Sequence, residues 1–498
     1  MSRHNRRDFL KRSAAAGFAA TFAVSGTKAS GKIPGANERV RIAVVGINGR
    51  GQEHIRRYCE MKNVEVAYMV DPDSRLFPMR SRWVKDHADN TPKCVRDLRE
   101  ALEDNSLDAV SIASPNHWHS LQAIWACQAG KDVFVEKPCS HNIFEGRKLV
   151  EAARKYDRIV QQGSQSRSDT DWIATVEAVR GGKYGKLLIS YGYASKPRRS
   201  IGFKLPKTPP KELDFNLWLG PAPQQPYHEN LVHYNWHWFW DFGNGEIGNQ
   251  GVHQMDIARW AMPEGAVPRS AVSLGGRYGY QTQDQGQTPN TQFTVIDFGG
   301  PKLFFEDRGL VDQKTMKVTN EFYTDEGVIK GGKFYAKGTT DGEPLPGAAV
   351  DEARKRVTLS GQLESSDGKQ LDPAKLHFAN FIDCVRSRRR DQLRAEILEG
   401  HRSTELCHLG NLSYQLGKEV PFHRGSNPFP DDQDAQESFD SMKEYLTDAA
   451  KLQLEGATYR LGRKLAFDAA AERFIDDDEA NELLTRPYRR PFVVPEQV

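Results

Sequence analysis

Residues 40–51 constrain this chain more than any other stretch. Val40-Arg41-Ile42-Ala43-Val44-Val45 is a short apolar run, followed by Gly46-Ile47-Asn48-Gly49-Arg50-Gly51 and then a helical pattern. A run of this kind forms a buried parallel strand. Strand, glycine-rich turn and helix in that order are the dinucleotide-binding fingerprint in its proper context. The fingerprint's second glycine, which lets the backbone approach a pyrophosphate, is here Asn48. Gly49 directly after it offers a substitute, and asparagine tolerates unusual backbone angles.

The pattern downstream extends the same architecture. Apolar runs at 42–45, 64–70, 109–113, 133–135 and 159–162 alternate with helical stretches such as 120–129 and 142–155. That alternation is βαβ architecture, a doubly wound α/β Rossmann domain over residues 38–163. Beyond 164 the runs 187–193, 271–278, 291–298 and 302–308 read as strands joined by turns. They predict an α+β domain with a large, mainly antiparallel open sheet over 164–430. Residues 310–372 read as long loops and short strands, with helices returning at 373–388 and 395–416. A charged extension at 431–498 is expected to pack on the body and to end in an extended segment, Arg486 to Phe492.

The chain begins with Asn5-Arg6-Arg7-Asp8-Phe9-Leu10-Lys11 and an apolar stretch from Ala14 to Val24. This stretch is too short to span a bilayer, which takes about 20 residues. Residues 1–29 therefore read as a twin-arginine signal peptide, with cleavage after Ala29 and retention as an N-terminal anchor as the alternative. A periplasmic or other extracytoplasmic location follows, with no stable membrane span after signal removal. Residues 1–29 hold six basic side chains and one acidic, so without them the formal charge moves from +3 to −2. A near-neutral protein has no global reason to bind nucleic acid. The run Arg386 to Arg390 lies on a helical pattern and reads as a solvated face. Six cysteines show no metal spacing and no paired C-x-x-C, and free buried thiols are expected.

Asp71 closes the second strand, placed to accept hydrogen bonds from the adenosine ribose, which favours NAD; Arg75 nearby leaves NADP open. Two further segments sit at strand ends, where ligands bind in open α/β sheets: Ser114-Pro115-Asn116-His117-Trp118-His119 and Glu136-Lys137-Pro138. His117 and His119 lack a third ligand at a recognisable spacing, so no metal is expected. Capping of the helix near His119 is the ordinary job of that loop. A lysine at a buried strand end needs a counter-ion, and its pKa can fall far enough for acid–base work.

With Gly251-Val252-His253-Gln254-Met255-Asp256 added, four motifs stand in an order that resembles the glucose–fructose oxidoreductase / inositol dehydrogenase (Gfo/Idh/MocA) family, in its exported twin-arginine bacterial form. The resemblance implies a cofactor site built from Gly46, Asn48, Gly49, Arg50, Gly51, Asp71, Ser114, Asn116, His119, Glu136 and Lys137. It implies that Lys137 sits by the nicotinamide and the reacting hydroxyl, and that His253 hydrogen-bonds or deprotonates that hydroxyl. The family often carries Asp where this chain has Asn249. Neutral asparagine orients a hydroxyl but is no base, so proton transfer is expected at His253 and Lys137, with Asn249 positioning. Homo-oligomerisation through the open sheet is implied as well.

The stretch Asn235-Trp236-His237-Trp238-Phe239-Trp240-Asp241 resembles exported members of the family. If it is extended, alternate residues share a side. Trp236, Trp238 and Trp240 then offer stacking faces to a sugar, with His237, Asp241 and Asp256 as substrate contacts. Core packing is the competing account of each tryptophan. Tyr191, Tyr193, Lys196 and Arg198 are further candidates for the cleft. The expected function is NAD(P)-dependent oxidation of a secondary hydroxyl in a sugar, sugar derivative or cyclitol, with the cofactor retained. The alternatives are an NAD-dependent glycosidase using transient ring oxidation, and a non-catalytic sugar-binding scaffold.

Overall fold

The computed structural model describes residues 39–280, 283–310, 316–347, 351–353, 372–423 and 425–498. The expected signal peptide lies outside the described residues. Among those described, no helix is long and apolar enough to cross a membrane.

The first body is built from β1 (Val40–Val45), α1 (Gly49–Cys59), β2 (Val64–Val70), α2 (Phe77–Ala88), β3 (Lys93–Val95), α3 (Leu98–Leu102), β4 (Ala109–Ile112), α4 (Asn116–Gln128), β5 (Asp132–Val135), α5 (Ile143–Lys155) and β6 (Val160–Gln162). Its six strands are parallel in the order β3-β2-β1-β4-β5-β6. This is the doubly wound Rossmann arrangement, and the switch point lies where β1 pairs with both β2 and β4. Helices on both faces bury the sheet, which is why its central strands are apolar on nearly every residue, Arg41 of β1 and Ser111 of β4 excepted. Ile42, Ala43, Val44, Val110 and Ile112 are fully buried. The short edge strand β3 carries too little apolar pattern to stand out in the sequence.

The second body contains α6 (Thr170–Arg180), β7 (Leu187–Ser195), α7 (Phe215–Leu219), α8 (Gly245–Asn249), α9 (Gly251–Trp260), β8 (Ser270–Gly276), β9 (Thr291–Asp297), β10 (Lys302–Arg308), β11 (Lys317–Thr324), β12 (Gly327–Lys330), β13 (Lys333–Ala336), β14 (Glu343–Pro344), α10 (Pro373–Ser387), α11 (Ile397–Gln415), β15 (Lys418–Pro421), α12 (Gln433–Glu444), β16 (Thr458–Leu461), β17 (Leu465–Asp468), β18 (Arg473–Phe474) and α13 (Asp478–Glu482). Its large mixed sheet runs β14-β13-β12-β11-β7-β10-β9-β8-β16-β15, with β17 also on β8. Only the β7–β10 pair is parallel within it. Along β7, Ser190, Gly192 and Ala194 face α9, where a Cβ on Gly192 would stand 2.9 Å from that of Gln254. Ile189, Tyr191 and Tyr193 face the other way. These two tyrosines stack on each other at 4.1 Å and bond Glu306 and Glu321, away from the Rossmann domain. They do not reach the cleft.

Three features differ from the sequence reading. The extension beyond 430 does more than pack on the body, because β16 and β17 join the large sheet. Its helix α12 places Phe439 and Met442 on the β7, β9 and β10 face, so part of the surface expected to stay open is covered by the chain itself. Helix α10, sequence-distant from the Rossmann domain, packs on that domain: Phe378 stacks on Phe134 of β5 at 4.5 Å. The basic run at its C-terminal end is solvent-exposed, as read, and is also tied to its neighbours. Arg386 donates to the Lys62 and Asn63 carbonyls, Arg388 to Asp132 and Arg390 to Asp157.

Replacing Phe378 by Ala removes a buried aromatic that joins α10 to the sheet. The expected cost is about 3–5 kcal/mol. A urea titration checks it, and a midpoint unchanged from wild type would show that α10 adds nothing to the Rossmann core.

Candidate active site

The cleft lies at the carboxyl ends of β1, β2, β4 and β5 and encloses about 280 Å³. Gly46, Asn48, Gly49, Arg50, Asp71, Ser114, Asn116, His119, Glu136, Lys137 and Asn249 all line it. The glycines divide their work. Gly46 has φ +76, and a Cβ there would stand 2.6 Å from the Ser114 nitrogen. A Cβ on Gly51 would stand 1.7 Å from the Gly46 carbonyl oxygen, so Gly51 sets how closely α1 packs on the turn rather than lining the cleft. Gly49, at φ +40, has open space where a side chain would be. Asn48 precedes α1 with an extended backbone, and its side chain caps nothing. The first-turn N–H groups of α1 are therefore not satisfied by that side chain, which suits an anion at this helix end.

Glu136 at the end of β5 ties this loop down. One carboxylate oxygen accepts from Arg50 Nε at 2.7 Å and lies 3.1 Å from His54 Nε2. Burial alone would raise its pKa, but Arg50 and His54 hold the carboxyl well below the usual range. Asp71 is buried and accepts the backbone N–H groups of Ile47 and Asp73, both at 2.9 Å. Burial pushes its pKa up to about 7. Arg75 is spent on Asp73, donating to it at 2.8 and 2.5 Å, and does not line the cleft.

The Ser114–His119 loop is held from several sides. Ser114 Oγ donates to Gln122 at 2.6 Å, and Asn116 Nδ2 donates to Asn244 at 3.0 Å, joining the two bodies. The two ring nitrogens of His119 lie 2.7 Å from the Pro138 carbonyl and 2.6 Å from that of Ser114. His119 therefore clamps the turn after Lys137. The expected side-chain cap is absent: α4 starts at Asn116, and Pro115 before it caps nothing. His117 points elsewhere, to the Trp218 carbonyl.

Lys137 Nζ donates to the Asn249 backbone carbonyl at 2.8 Å. A lysine has three donors, so this leaves two for a ligand. Burial lowers its pKa, and Glu136 opposes that fall. His253 stands on the first turn of α9 and, unlike Lys137 and Asn249, is not among the residues that line the cleft. Burial, then Lys137, brings its pKa down to about 3, so its imidazole is neutral over the ordinary pH range.

Asn249 acts differently from the sequence expectation. Its carbonyl holds Lys137, while its side chain donates to Glu246 at 3.3 Å. Glu246, one helical turn earlier, is the residue that sequence reasoning missed. It is buried, and Arg198 grips it with Nε at 2.9 Å and a terminal nitrogen at 2.6 Å. Burial pushes the Glu246 carboxyl up, against the pull of Arg198 and Lys137. Asp307 behind it has no hydrogen-bond partner on either oxygen, and burial together with Glu246 pushes its pKa far up. A buried carboxylate is thus electrostatically linked to Lys137 although position 249 is neutral. A glutamate three residues before Asn249, on a helical pattern, was the available signal.

The tryptophan stretch is not extended. Residues Asn235–Trp238 form a single 3-10 turn, so the alternation argument fails. Trp236 and His237 line the cleft, stacked at 3.6 Å. Trp238 turns away and lies under Arg198, and Trp240 lies toward Tyr414. Asp241 accepts from Gln225 outside the cleft. Asp256 is locked by three contacts from Arg167 and one from Ser403, a buried structural ion pair that faces no ligand. Other cleft-lining residues were not read from the sequence: Trp118, Trp125, Leu217, Trp218, His233 and Tyr234. His233 Nε2 lies 3.0 Å from Asp73, closing the segment around α7 over the ends of β1 and β2.

Two family models match this chain. That of the oxidoreductase family, NAD-binding Rossmann fold, matches residues 40–164, and that of the family's C-terminal alpha/beta domain matches 198–273 and 444–494. Together they take in half of the sequence, and the chain belongs to the Gfo/Idh/MocA family of NAD-binding oxidoreductases. Curated relatives include a glycosyl hydrolase family 109 protein of Shewanella pealeana, 26% identical over 202 residues, 37% of this chain and 44% of that protein. The alpha-N-acetylgalactosaminidase of Shewanella oneidensis is 26% identical over 168 residues, 33% of this chain and 37% of that one. The chain spans less than half the length of these relatives. Among solved structures, the WlbA dehydrogenase of Bordetella pertussis, in complex with NADH and UDP-GlcNAcA, aligns with TM-score 0.54 at 16% identity, over 74% of this chain and 94% of that one. A levoglucosan dehydrogenase in complex with NADH and levoglucosan aligns with TM-score 0.55 at 15% identity, over 74% and 95%. These two likenesses are of fold.

Gly51→Ala forces a methyl group into the Gly46 carbonyl and must push α1 off the turn. We expect NAD affinity to fall at least tenfold, an effect of about 1.4 kcal/mol. Titration of the cofactor by calorimetry measures this, and affinity unchanged in a folded variant would remove the packing role.

Proposed function

We propose that this protein is an NAD-dependent oxidoreductase acting on a secondary hydroxyl of a sugar, sugar derivative or cyclitol, with its cofactor retained between turnovers. The observation that carries the reading is Lys137, a buried cation at a strand end in the cleft, held by the Asn249 carbonyl with two donors to spare. A nicotinamide cofactor held in the cleft would supply the acceptor and donor of hydride for the substrate carbon. Every other part falls to side chains of this chain. Lys137 hydrogen-bonds the reacting oxygen, takes its proton when neutral and stabilises alkoxide charge when protonated. His253, neutral over the working range, accepts or shares that proton. Trp236 and His237 offer a stacked apolar face to the C–H side of a ring. Asp71 lines the cleft where the ribose hydroxyls would lie, and Arg75 is occupied by Asp73, which supports NAD over NADP.

Retention is supported by the segment around α7, which covers the cleft and is fastened through His233 to Asp73. Export by the twin-arginine route belongs to the same proposal, since a cofactor that stays bound needs no outside supply. Loss of export on replacing Arg6 and Arg7 by Lys is its test.

A second reading has its own support in the relatives named as glycosyl hydrolase family 109 proteins. In it the ring hydroxyl is oxidised to a ketone, the adjacent C–H loses its proton, and the aglycone leaves with its bonding electrons. Water then adds, and the ketone is reduced by the hydride first removed, so the cycle is redox-neutral. Lys137 and His253 serve both readings alike. Release of aglycone without net NADH, from glycosides offered to the purified protein, separates the two.

Lys137→Ala should lower turnover by about 10²–10⁴-fold, the usual worth of a positioned acid–base group. Bound nucleotide, measured after denaturation, should stay at wild-type level. Activity within a few-fold of wild type would sink the mechanism.

The pH dependence follows from the same group. Burial lowers the Lys137 pKa from the ordinary lysine value, and oxidation needs the neutral amine. Oxidation should therefore rise with pH and level off above that lowered pKa, while reduction, which needs the protonated amine, falls over the same range. His253, with its pKa near 3, contributes no limb above about pH 5. A pH-independent oxidation rate between pH 6 and 10 would exclude Lys137 as the titrating base.

A further inference from the structure

Outside the cleft lining, α11 presents His401 and Glu405 one helical turn apart toward the turn between β17 and β18, which carries Glu472. One ligand atom from each of the three lies within 4.8 Å of the others. His401 is fully buried and Glu405 is 4% exposed. Two of their polar atoms, His401 Nδ1 and Glu405 Oε1, are buried with no hydrogen-bond partner. Glu472 is differently placed. Its Oε2 accepts from Arg147 Nε at 2.9 Å, while Oε1 meets another Arg147 nitrogen and lies 3.1 Å from His401 Nε2. Arg147, on α5, is thus committed to Glu472, and Glu405 has no hydrogen-bonded cation of its own. Room for the imidazole comes from Gly146, where a Cβ would stand 2.3 Å from His401 Nδ1.

We infer that His401, Glu405 and Glu472 form a structural divalent-metal site that fastens the C-terminal extension to α11. One imidazole and two carboxylates are a donor set that first-row cations such as Zn²⁺ accept. The 3.1 Å between His401 Nε2 and Glu472 Oε1 suits two ligands of one ion. Ligand bonds of about 2.0–2.2 Å would draw the three groups slightly inward. The ion supplies Glu405 with the positive partner it lacks, while Arg147 keeps its Nε on the far oxygen Oε2 of Glu472 and its terminal nitrogen must turn away from Oε1 as that oxygen takes the ion. Glu472 is the most exposed of the three, on the turn between β17 and β18. The alternative is a protonated Glu405 in a site that holds no ion. The sequence hid the cluster because Glu472 lies 71 residues from His401 and no ligand spacing links them.

The test is made on the full purified chain, stripped with EDTA and titrated with Zn²⁺ by calorimetry, with thermal unfolding followed in parallel. We expect one Zn²⁺ per chain, a higher melting temperature on binding, and an affinity at least tenfold weaker in Glu405→Gln. Bound NAD content should not change, because these residues do not line the cleft. X-ray absorption of the Zn²⁺-loaded wild type, which needs no variant to fold, should show one imidazole and otherwise oxygen ligands. The inference is overturned if the stripped wild type takes up no Zn²⁺, if folded Glu405→Gln binds as tightly as wild type, or if absorption shows sulfur or several imidazoles.

Discussion

The ion pair between Arg50 and Glu136, 2.7 Å long, is the contact on which the cleft depends. Arg50 belongs to the glycine-rich turn after β1, and Glu136 ends β5. The pair joins the loop shaped for a pyrophosphate to the strand end that carries Lys137. Glu136 is almost wholly buried, and His54 shares it. A buried carboxylate left without partners would be strongly destabilising, and paired on both sides it fixes geometry instead. His119 extends the same logic past Lys137 by holding the Pro138 carbonyl. Lys137 thus sits on a backbone pinned before and after it.

The second body completes the site with backbone and charge rather than with the carboxylate expected at position 249. Asn249 offers its carbonyl to Lys137 and its amide to Glu246. Glu246, gripped by Arg198, places a carboxyl group one helical turn away. A reading of position 249 alone finds the acid missing. Distance through space, not position in a motif, decides which charge Lys137 feels.

Much of the fold was legible. Five of the six Rossmann strands, the four principal strands of the second sheet and the helices near 373 and 395 stand close to where periodicity placed them, because buried strands and amphipathic helices must repeat their apolar residues. Four of the five residues of the glycine turn, together with Asp71, Glu136 and Lys137, meet in the cleft for a similar reason: the turn chemistry is local. The failures have a common cause as well. Trp236, Trp238 and Trp240 were grouped on the assumption of an extended backbone, and a single 3-10 turn sends them to different places. Asp256 carries a charge within a recognised motif, yet Arg167 of another segment consumes it. Tyr191 and Tyr193 alternate correctly along β7, but which sheet face meets the cleft is not written in β7.

By itself, the sequence determined the βαβ order, the nucleotide-binding turn, the family and the strand end that presents Lys137. These rest on interactions between near neighbours in the chain: side-chain period, turn angles and helix starts. Only the tertiary structure decided that α10 packs on the Rossmann sheet, that α12 covers part of the large sheet, that Asn249 joins Lys137 to Glu246, and that His401, Glu405 and Glu472 meet. Each of these joins segments whose local patterns are satisfied by many partners. The choice among those partners is made by shape, charge pairing and the burial of the whole chain at once.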